Sequence, residues 1–255
     1  MLEVRVLGSG SSGNALVLSC GQSRVLVDVG LPYRELAARM RAAGIAPASI
    51  TAVLLTHEHD DHVKGLKLFL KHHKVPVFAA PECFETGALA PLCFHGREPL
   101  EEGRTVAFGR LEVTPFRVPH DAAATYGFLY RCDGVQVGHA TDLGCVPFAV
   151  GEALKGCHCL LVEFNHDVDR LLQGSYPVPL KMRIRSDVGH LSNEQGARLL
   201  AGAAGGETRA VFLMHLSRHN NLPALALMAA REALSERGPR LEVALPGGPT
   251  PAWQG

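Results

Sequence analysis

Along the first third of the chain, apolar and polar positions alternate in short bursts. Leu2–Leu7, Ala15–Cys20 and Arg24–Val29 are β-rich runs separated by GSGSSGN and GQS, both strong turn sequences. At Tyr33–Ala43 the period changes: charges interleave with Ala, Leu and Met at helical spacing, and the pattern stops at Gly44. Ile50–Thr56 is an apolar run of the buried type that ends abruptly in HEHDDH. His62–His73 reads as a helix and Val75–Ala80 as a short strand. Between Arg104 and His139 the two-residue period returns in RTVAF, LEVTPFRV, TYGFLYRC and GVQVGH, with turns at Gly109 and Asp133-Gly134. Helices are expected over Val146–Lys155, around Asp167–Gln173, over Asn193–Ala203 with Ser192 as N-cap, and over Asn221–Ser235. Strands are expected over Cys159–Phe164, Arg209–Met214 and Arg240–Leu245, and the Gly/Pro-rich tail from Pro246 is expected to fray. These runs are best buried in an α/β fold of two sheets packed face to face, with helices on the outer faces.

Composition narrows the class. The 255 residues fit one large α/β domain or two small ones, and no repeat, low-complexity tract or linker divides them, so 1–255 reads as a single domain. Lys+Arg and Asp+Glu balance at 25 each, so no global basic field advertises nucleic acid, although a local patch would suffice. No apolar run approaches the roughly 18 residues of a membrane span, and no membrane partner is expected. Seven cysteines form no CxxC pair and no secretory disulfide framework, which points to a reducing cytoplasm. Thirteen histidines are about twice ordinary usage, so their clustering decides what they mean.

The cluster is Thr56-His57-Glu58-His59-Asp60-Asp61-His62. In an extended or loop backbone His57 and His59 project to one side, and Asp61 and His62 follow as the chain turns into a helix. Four potential ligands in six residues exceed one tetrahedral site's share from a single loop, so two adjacent metals explain them better than one. The plainer reading, a solvated polar loop, fits poorly at the end of a buried-type strand.

HxHxDH behind a hydrophobic strand and a Gly-rich N-terminal double strand resembles the metallo-β-lactamase superfamily. The resemblance implies an αββα sandwich of two mixed sheets with a dinuclear site at one sheet edge. It implies that His120 in RVPHDA completes the first metal's set with His57 and His59. It further implies that Asp61, His62 and His215 (VFLMHLS) hold the second metal, and that Asp142 in HATDLG bridges the two. Two such cations would generate a bridging hydroxide as nucleophile. Imidazole and carboxylate ligands suit Zn²⁺, and also Mn²⁺ or Fe²⁺. Asp28 in VLVDVG either orients a ligand histidine, as the superfamily often arranges, or is a strand-end turn carboxylate.

The ligand pattern, with His at 59 and the Asp61-His62 pair, is similar to dinuclear hydrolases that include the glyoxalase II thioesterases and the ribonuclease Z and J nucleases. GSGSSGN at 8–14, Glu163 in LLVEFNHD, GSYPVPLKMRIRSDVGHLS at 174–192 and HLSRHNN at 215–221 resemble the YycJ-like (WalJ-like) nuclease branch. Ala15 stands where a Ser is frequent, and EFNHD replaces a more usual EANHD; neither touches the inferred ligands. That branch implies a 5′-to-3′ DNA exonuclease linked to DNA repair. By resemblance to the ribonuclease Z pattern, His190 pairs with Glu163 and assists departure of the leaving oxygen, so Asp61, His190 and Glu163 form the implied catalytic set. The 47 residues between Asp142 and His190 leave no room for the extra domain of β-CASP nucleases.

Lys181, Arg183 and Arg185 put three cations in five residues; in an extended backbone they share one face, either as a phosphate track or as an ordinary solvated basic face. Ser217 and Asn220 either touch the scissile phosphate or shape their loop. Two other classes stay open: a small-molecule thioester or ester hydrolase of the glyoxalase II type, which the neutral charge favours, and a non-catalytic DNA-repair adaptor, which the intact ligand set argues against. The remaining histidines, 72, 73, 95, 139, 158, 166 and 219, read as surface or satisfied core, with His166 and His219 nearest the site.

Overall fold

The computed structural model describes residues 1–234 and 238–255. The first sheet is built from β1 (Leu2–Gly8), β2 (Ala15–Cys20), β3 (Ser23–Val27), β4 (Ala52–Leu54), β5 (Val77–Ala79) and β6 (Arg97–Pro99). The second holds β7 (Val106–Phe108), β8 (Leu111–Arg117), β9 (Tyr126–Cys132), β10 (Val135–Ala140), β11 (Cys159–Glu163), β12 (Ala210–Met214) and β13 (Arg240–Val243), and β14 (Trp253–Gln254) returns to the first. The spatial orders are β14-β1-β2-β3-β4-β5-β6 and β13-β12-β11-β10-β9-β8-β7. Each sheet starts as an antiparallel meander and continues with parallel strands fed by crossovers. Helices α1 (Tyr33–Ala42), α2 (Asp60–Val63), α3 (Leu66–His72), α4 (Pro81–Phe84), α5 (Phe148–Leu154), α6 (Val168–Gln173), α7 (Val178–Ile184), α8 (Asn193–Ala203) and α9 (Pro223–Ala233) make up the helical layers and connections.

The packing follows from the two-residue side-chain period of a strand. In β11 and β12, Cys159, Leu161, Ala210, Phe212 and Met214 join the core shared with the first sheet. Their neighbours Leu160, Val162, Val211 and Leu213 pack on the other face against Leu154 of α5, Leu199 and Leu200 of α8 and Ala226 of α9. A strand buried on both faces reads as a continuous apolar run, as CLLV and AVFLM do. The expected αββα arrangement is the one observed. Among the described residues no helix is long and apolar enough to cross a membrane.

Four expectations need correction. The helix expected over His62–His73 is split into α2 and α3 at Gly65, whose amide donates to the Val29 carbonyl. A Cβ at Gly65 would lie 2.1 Å from the Leu31 carbonyl oxygen, so the chain passes too close for any other residue. The tail is not frayed: Trp253 pairs with Val4, its ring is buried in the core, and the Thr250 amide donates to the Val6 carbonyl. Cys20 and Cys132 are joined in a disulfide linking β2 to β9 of the opposite sheet. A separation of 112 residues leaves no spacing signal by which this pair could be read from the sequence. Lastly, Lys181, Arg183 and Arg185 do not lie on an extended strand but on α7 and its C-cap, where a common face is shared only by residues three or four apart. The expected helix Asn221–Ser235 is observed as Pro223–Ala233, and Ser235 lies outside the described residues.

Candidate metal centre

The site collects loops at the carboxyl ends of strands from both sheets. β3 and β4 run parallel, and Asp28 and His57 lie just past their ends. In the second sheet β8, β10, β11 and β12 point the same way, because β9 is antiparallel to both β8 and β10. Their ends deliver His120, Asp142, Glu163 and His215. Asp28, Asp142 and His215 have positive φ values of 59, 57 and 57°. Non-glycine residues in this conformation cost about 1–2 kcal/mol each, so the packing around them must hold the strain.

Four imidazoles are fixed the same way, with Nδ1 tied outward and Nε2 left facing inward. The Thr56 amide and hydroxyl donate to the buried Asp28 carboxylate, which also accepts from His62 Nδ1 at 2.8 Å. Thr56 Oγ1, having given its proton to Asp28, accepts from His57 Nδ1 at 3.0 Å. His120 Nδ1 donates to the Gly189 carbonyl at 3.1 Å, and His215 Nδ1 to Glu163 Oε1 at 3.1 Å. Such outer partners set the tautomer and aim the opposite nitrogen at a metal. Asp28 thus orients His62 directly and His57 through Thr56.

The inward atoms group as the resemblance implied. Those of His57, His59 and His120 lie within 4.8 Å of one another, as do those of Asp61, His62 and His215. Asp142 lies within the same reach of His57 and His62, its Oδ2 3.4 Å from His62 Nε2, while its Oδ1 faces the Nδ1 atoms of His215 and His190 that Glu163 already holds. His57 Nε2 and Asp142 Oδ2 are buried with no hydrogen-bond partner, a costly state for polar atoms that a cation between them would relieve. Imidazole nitrogens with carboxylate oxygens suit borderline and hard divalent ions, so these residues fit a pair of divalent metals.

The electrostatics are those of a cation site. Burial, reinforced by the neighbouring histidines, holds His57 well below its ordinary pKa and therefore neutral. For His62 burial is outweighed by the Asp28, Asp142 and Asp61 carboxylates, and its pKa is raised to about 9. Burial also opposes ionisation of Asp61 and Glu163, yet His62 and His215 beside Asp61, and His190 and His215 beside Glu163, keep both carboxyls well below the usual range.

Glu163 is fully buried and completely used. Its Oε2 accepts from the Leu143 and Leu191 amides, and Oε1 accepts from His190 Nδ1 at 2.8 Å as well as from His215. His190 stays about one-fifth exposed at the rim, a histidine held by a carboxylate with its far edge toward solvent.

The basic residues separate. Arg183 is ion-paired to Asp121, next to His120; Lys181 has no ion pair but donates to the Leu172 carbonyl, and the Arg185 side chain has neither an ion pair nor a hydrogen bond among the described residues. Ser217 Oγ accepts from the Asn220 amide, and Asn220 is buried, so both shape the loop after β12. Residues missed in the sequence support the ligands. Asn14 Nδ2 lies 3.0 Å from His62 Nε2 and 3.3 Å from Asp61, and the Ser9 hydroxyl accepts from the His215 amide. Both sit in the GSGSSGN turn, which was the available signal. Glu58, inside the histidine motif, accepts from the Ala123 amide and so ties that loop to the one carrying His120.

A sandwich of two mixed sheets with this His/Asp cluster at one edge defines a metal-dependent hydrolase, and residues 23–216 match the family model described as the β-lactamase superfamily domain. The chain belongs to that superfamily. Within it the chain is a YycJ/WalJ-like member: it is 35% identical over 243 residues to the exodeoxyribonuclease YycJ of Bacillus anthracis, covering 93% of this chain and 90% of the relative. It is 33% identical over 235 residues to the exodeoxyribonuclease WalJ of Streptococcus pneumoniae, covering 91% and 87%. The metallo-β-lactamase fold protein YhfI of Bacillus subtilis shares the fold across the whole of both chains, with a TM-score of 0.80 at 16% identity.

Proposed function

We propose that this chain is a dinuclear-metal phosphodiesterase that removes nucleotides from DNA in the 5′-to-3′ direction and serves DNA repair. The observation that carries the reading is the Glu163–His190 pair set beside two groups of candidate ligands, with Asp142 next to them. A thioester hydrolase needs the metals; a rim histidine held by a buried carboxylate adds an acid suited to an alkoxide leaving group. The 35% identity to a named exodeoxyribonuclease over nearly the full chain supports DNA as substrate.

His57, His59 and His120 would hold one divalent ion, Asp61, His62 and His215 the other, with Asp142 between them. When bound, such a pair lowers the pKa of a water toward neutrality and polarises the phosphoryl group under attack. The chain's own part is positional. Asp28, Thr56, Glu163 and the Gly189 carbonyl keep four of the five imidazoles, those of His62, His57, His215 and His120, in one tautomer. Glu163 also holds His190 by its Nδ1, leaving the exposed edge of the ring to pass a proton to the departing sugar oxygen. Arg185, unpaired beside this rim, is placed to meet a phosphate.

The test is degradation of duplex and single-stranded DNA labelled at either end, with Zn²⁺ or Mn²⁺ supplied. Stepwise loss beginning at the 5′ end is expected. Turnover of acyl-glutathione with no cleavage of DNA or RNA would replace the reading with the small-molecule one.

A further inference from the structure

Two open cavities lie side by side along α8, and of their lining only Arg185 enters the chemistry above. The first, of about 500 Å³, is lined by His166, Asp167, Arg185, Ser192, Glu194 and Arg198, among others. The second, of about 410 Å³, lies between α5 and α8 and is lined by Val146, Phe148, Gly151, Gln195, Arg198 and Leu199, among others. Gln195 and Arg198 belong to both, so the cavities form one trough. The trough begins at the metal centre. His166 bridges to Ser192, two residues past His190, and the adjacent Asn165 donates its amide to the Leu191 carbonyl and its side chain to the His215 carbonyl.

Its two ends differ in chemistry. At the near end, two guanidiniums, Arg185 and Arg198, form no ion pair among the described residues, and the buried His166 Nδ1 has no hydrogen-bond partner. Two of the carboxylates there accept from neutral donors of the wall and keep their charge, Asp167 from the Arg170 amide at the start of α6 and Glu194 from the Ser192 hydroxyl. Asp169 remains as an exposed carboxylate on that wall. The amino end of α8, capped by Ser192, adds its backbone dipole. At the far end the Phe148 ring is 82% exposed, unusual for a phenylalanine in the first turn of a helix that packs on the core. Gly151 and Gly202 line the same stretch, and a Cβ on either would meet nothing, so the trough is open beside the ring.

We propose that this trough is the track for an unpaired nucleic-acid strand leading away from the metal centre, with Arg185 and Arg198 on successive phosphates and Phe148 as a stacking platform for a base. This rests on the nuclease reading and names the form of substrate that site takes. A free aromatic face beside guanidiniums is how sequence-tolerant single-strand grooves are built, since every base has a π-face but a paired one is already stacked.

The experiment uses metal-stripped protein and a short fluorescein-labelled oligodeoxythymidylate, read by anisotropy over a range of salt concentrations. Phe148→Ala should weaken binding about tenfold without changing the salt dependence. Arg198→Ala should lower the slope of log K against log salt by about 0.7, the release expected from one phosphate of a single strand. Both variants should hydrolyse bis(p-nitrophenyl) phosphate like wild type when metal is restored, because that ester is too small to reach the trough. Wild-type binding and wild-type DNA cleavage in both variants would overturn the track and leave the nuclease reading intact, as would an unchanged slope in Arg198→Ala. Failure of the parent protein itself to bind or cut any nucleic acid would overturn both.

Discussion

Glu163 shows how much of the site hangs on single atoms. It carries no metal in the ligand division set out here, yet it accepts from two amides and two imidazoles. Glu163→Gln has the same shape but can offer only one oxygen as acceptor, leaving a buried amide or imidazole facing a donor. The expected cost is about 1–3 kcal/mol of stability and a fall in kcat of roughly a hundredfold with KM little changed, measured by denaturant unfolding and steady-state hydrolysis. Equal kcat in the variant would remove His190 and Glu163 from the mechanism. His139 gives a second test at this scale. It is buried, and its pKa is lowered to about 4 by that burial. The folded pKa lies below the ordinary 6.5, so the unfolded chain binds more protons between these values and stability falls as pH drops from about 6.5 through 4. His139→Gln should lose this part of the acid sensitivity, about 3 kcal/mol at most across that window, in urea midpoints compared at several pH values.

Among the elements, β14 makes the sharpest claim. Trp253 and Gln254 pair with Val4 and Glu3, extending the first sheet past β1, and the indole fills the core beneath. Trp253→Ala should therefore cost about 3 kcal/mol, as large-to-small core changes do. A frayed tail would leave the melting temperature unmoved. Gly and Pro density hid this strand, because two paired residues are too few to show a period and the partner lies at the other end of the chain. The long apolar runs were legible for the opposite reason: β2, β11 and β12 are buried on both faces, and burial writes itself into every residue. Three cations at alternate positions in α7 suit a strand's period, whereas the Pro in its first turn favours a helix. The HxHxDH ligands could be read locally. His120, Asp142 and His215 are scattered along the chain and are legible only through resemblance; Asn14 and Ser9 are signalled only by the GSGSSGN turn, and Thr56 not at all, since hydrogen bonds between distant loops leave no periodic trace.

For the molecule as a whole, the two sheets carry comparable wiring, a meander leading into parallel strands, and their carboxyl ends meet along one edge. Each half supplies part of the donor set: His57, His59, Asp61 and His62 come from the first sheet's loops, His120, Asp142 and His215 from the second's. Neither half holds a complete site, so packing of the sandwich and assembly of the centre are the same event, and bound metal should stabilise the fold as well as enable the chemistry. The most direct measurement is the rate of DNA hydrolysis by chelator-stripped protein as divalent metal is returned in known equivalents, beside His59→Ala. Activity that rises until two equivalents per chain are bound, and stays absent in the folded variant, is expected. Full hydrolysis by the stripped protein, saturation at a single equivalent, or undiminished turnover in His59→Ala would contradict a dinuclear centre as the seat of the reaction.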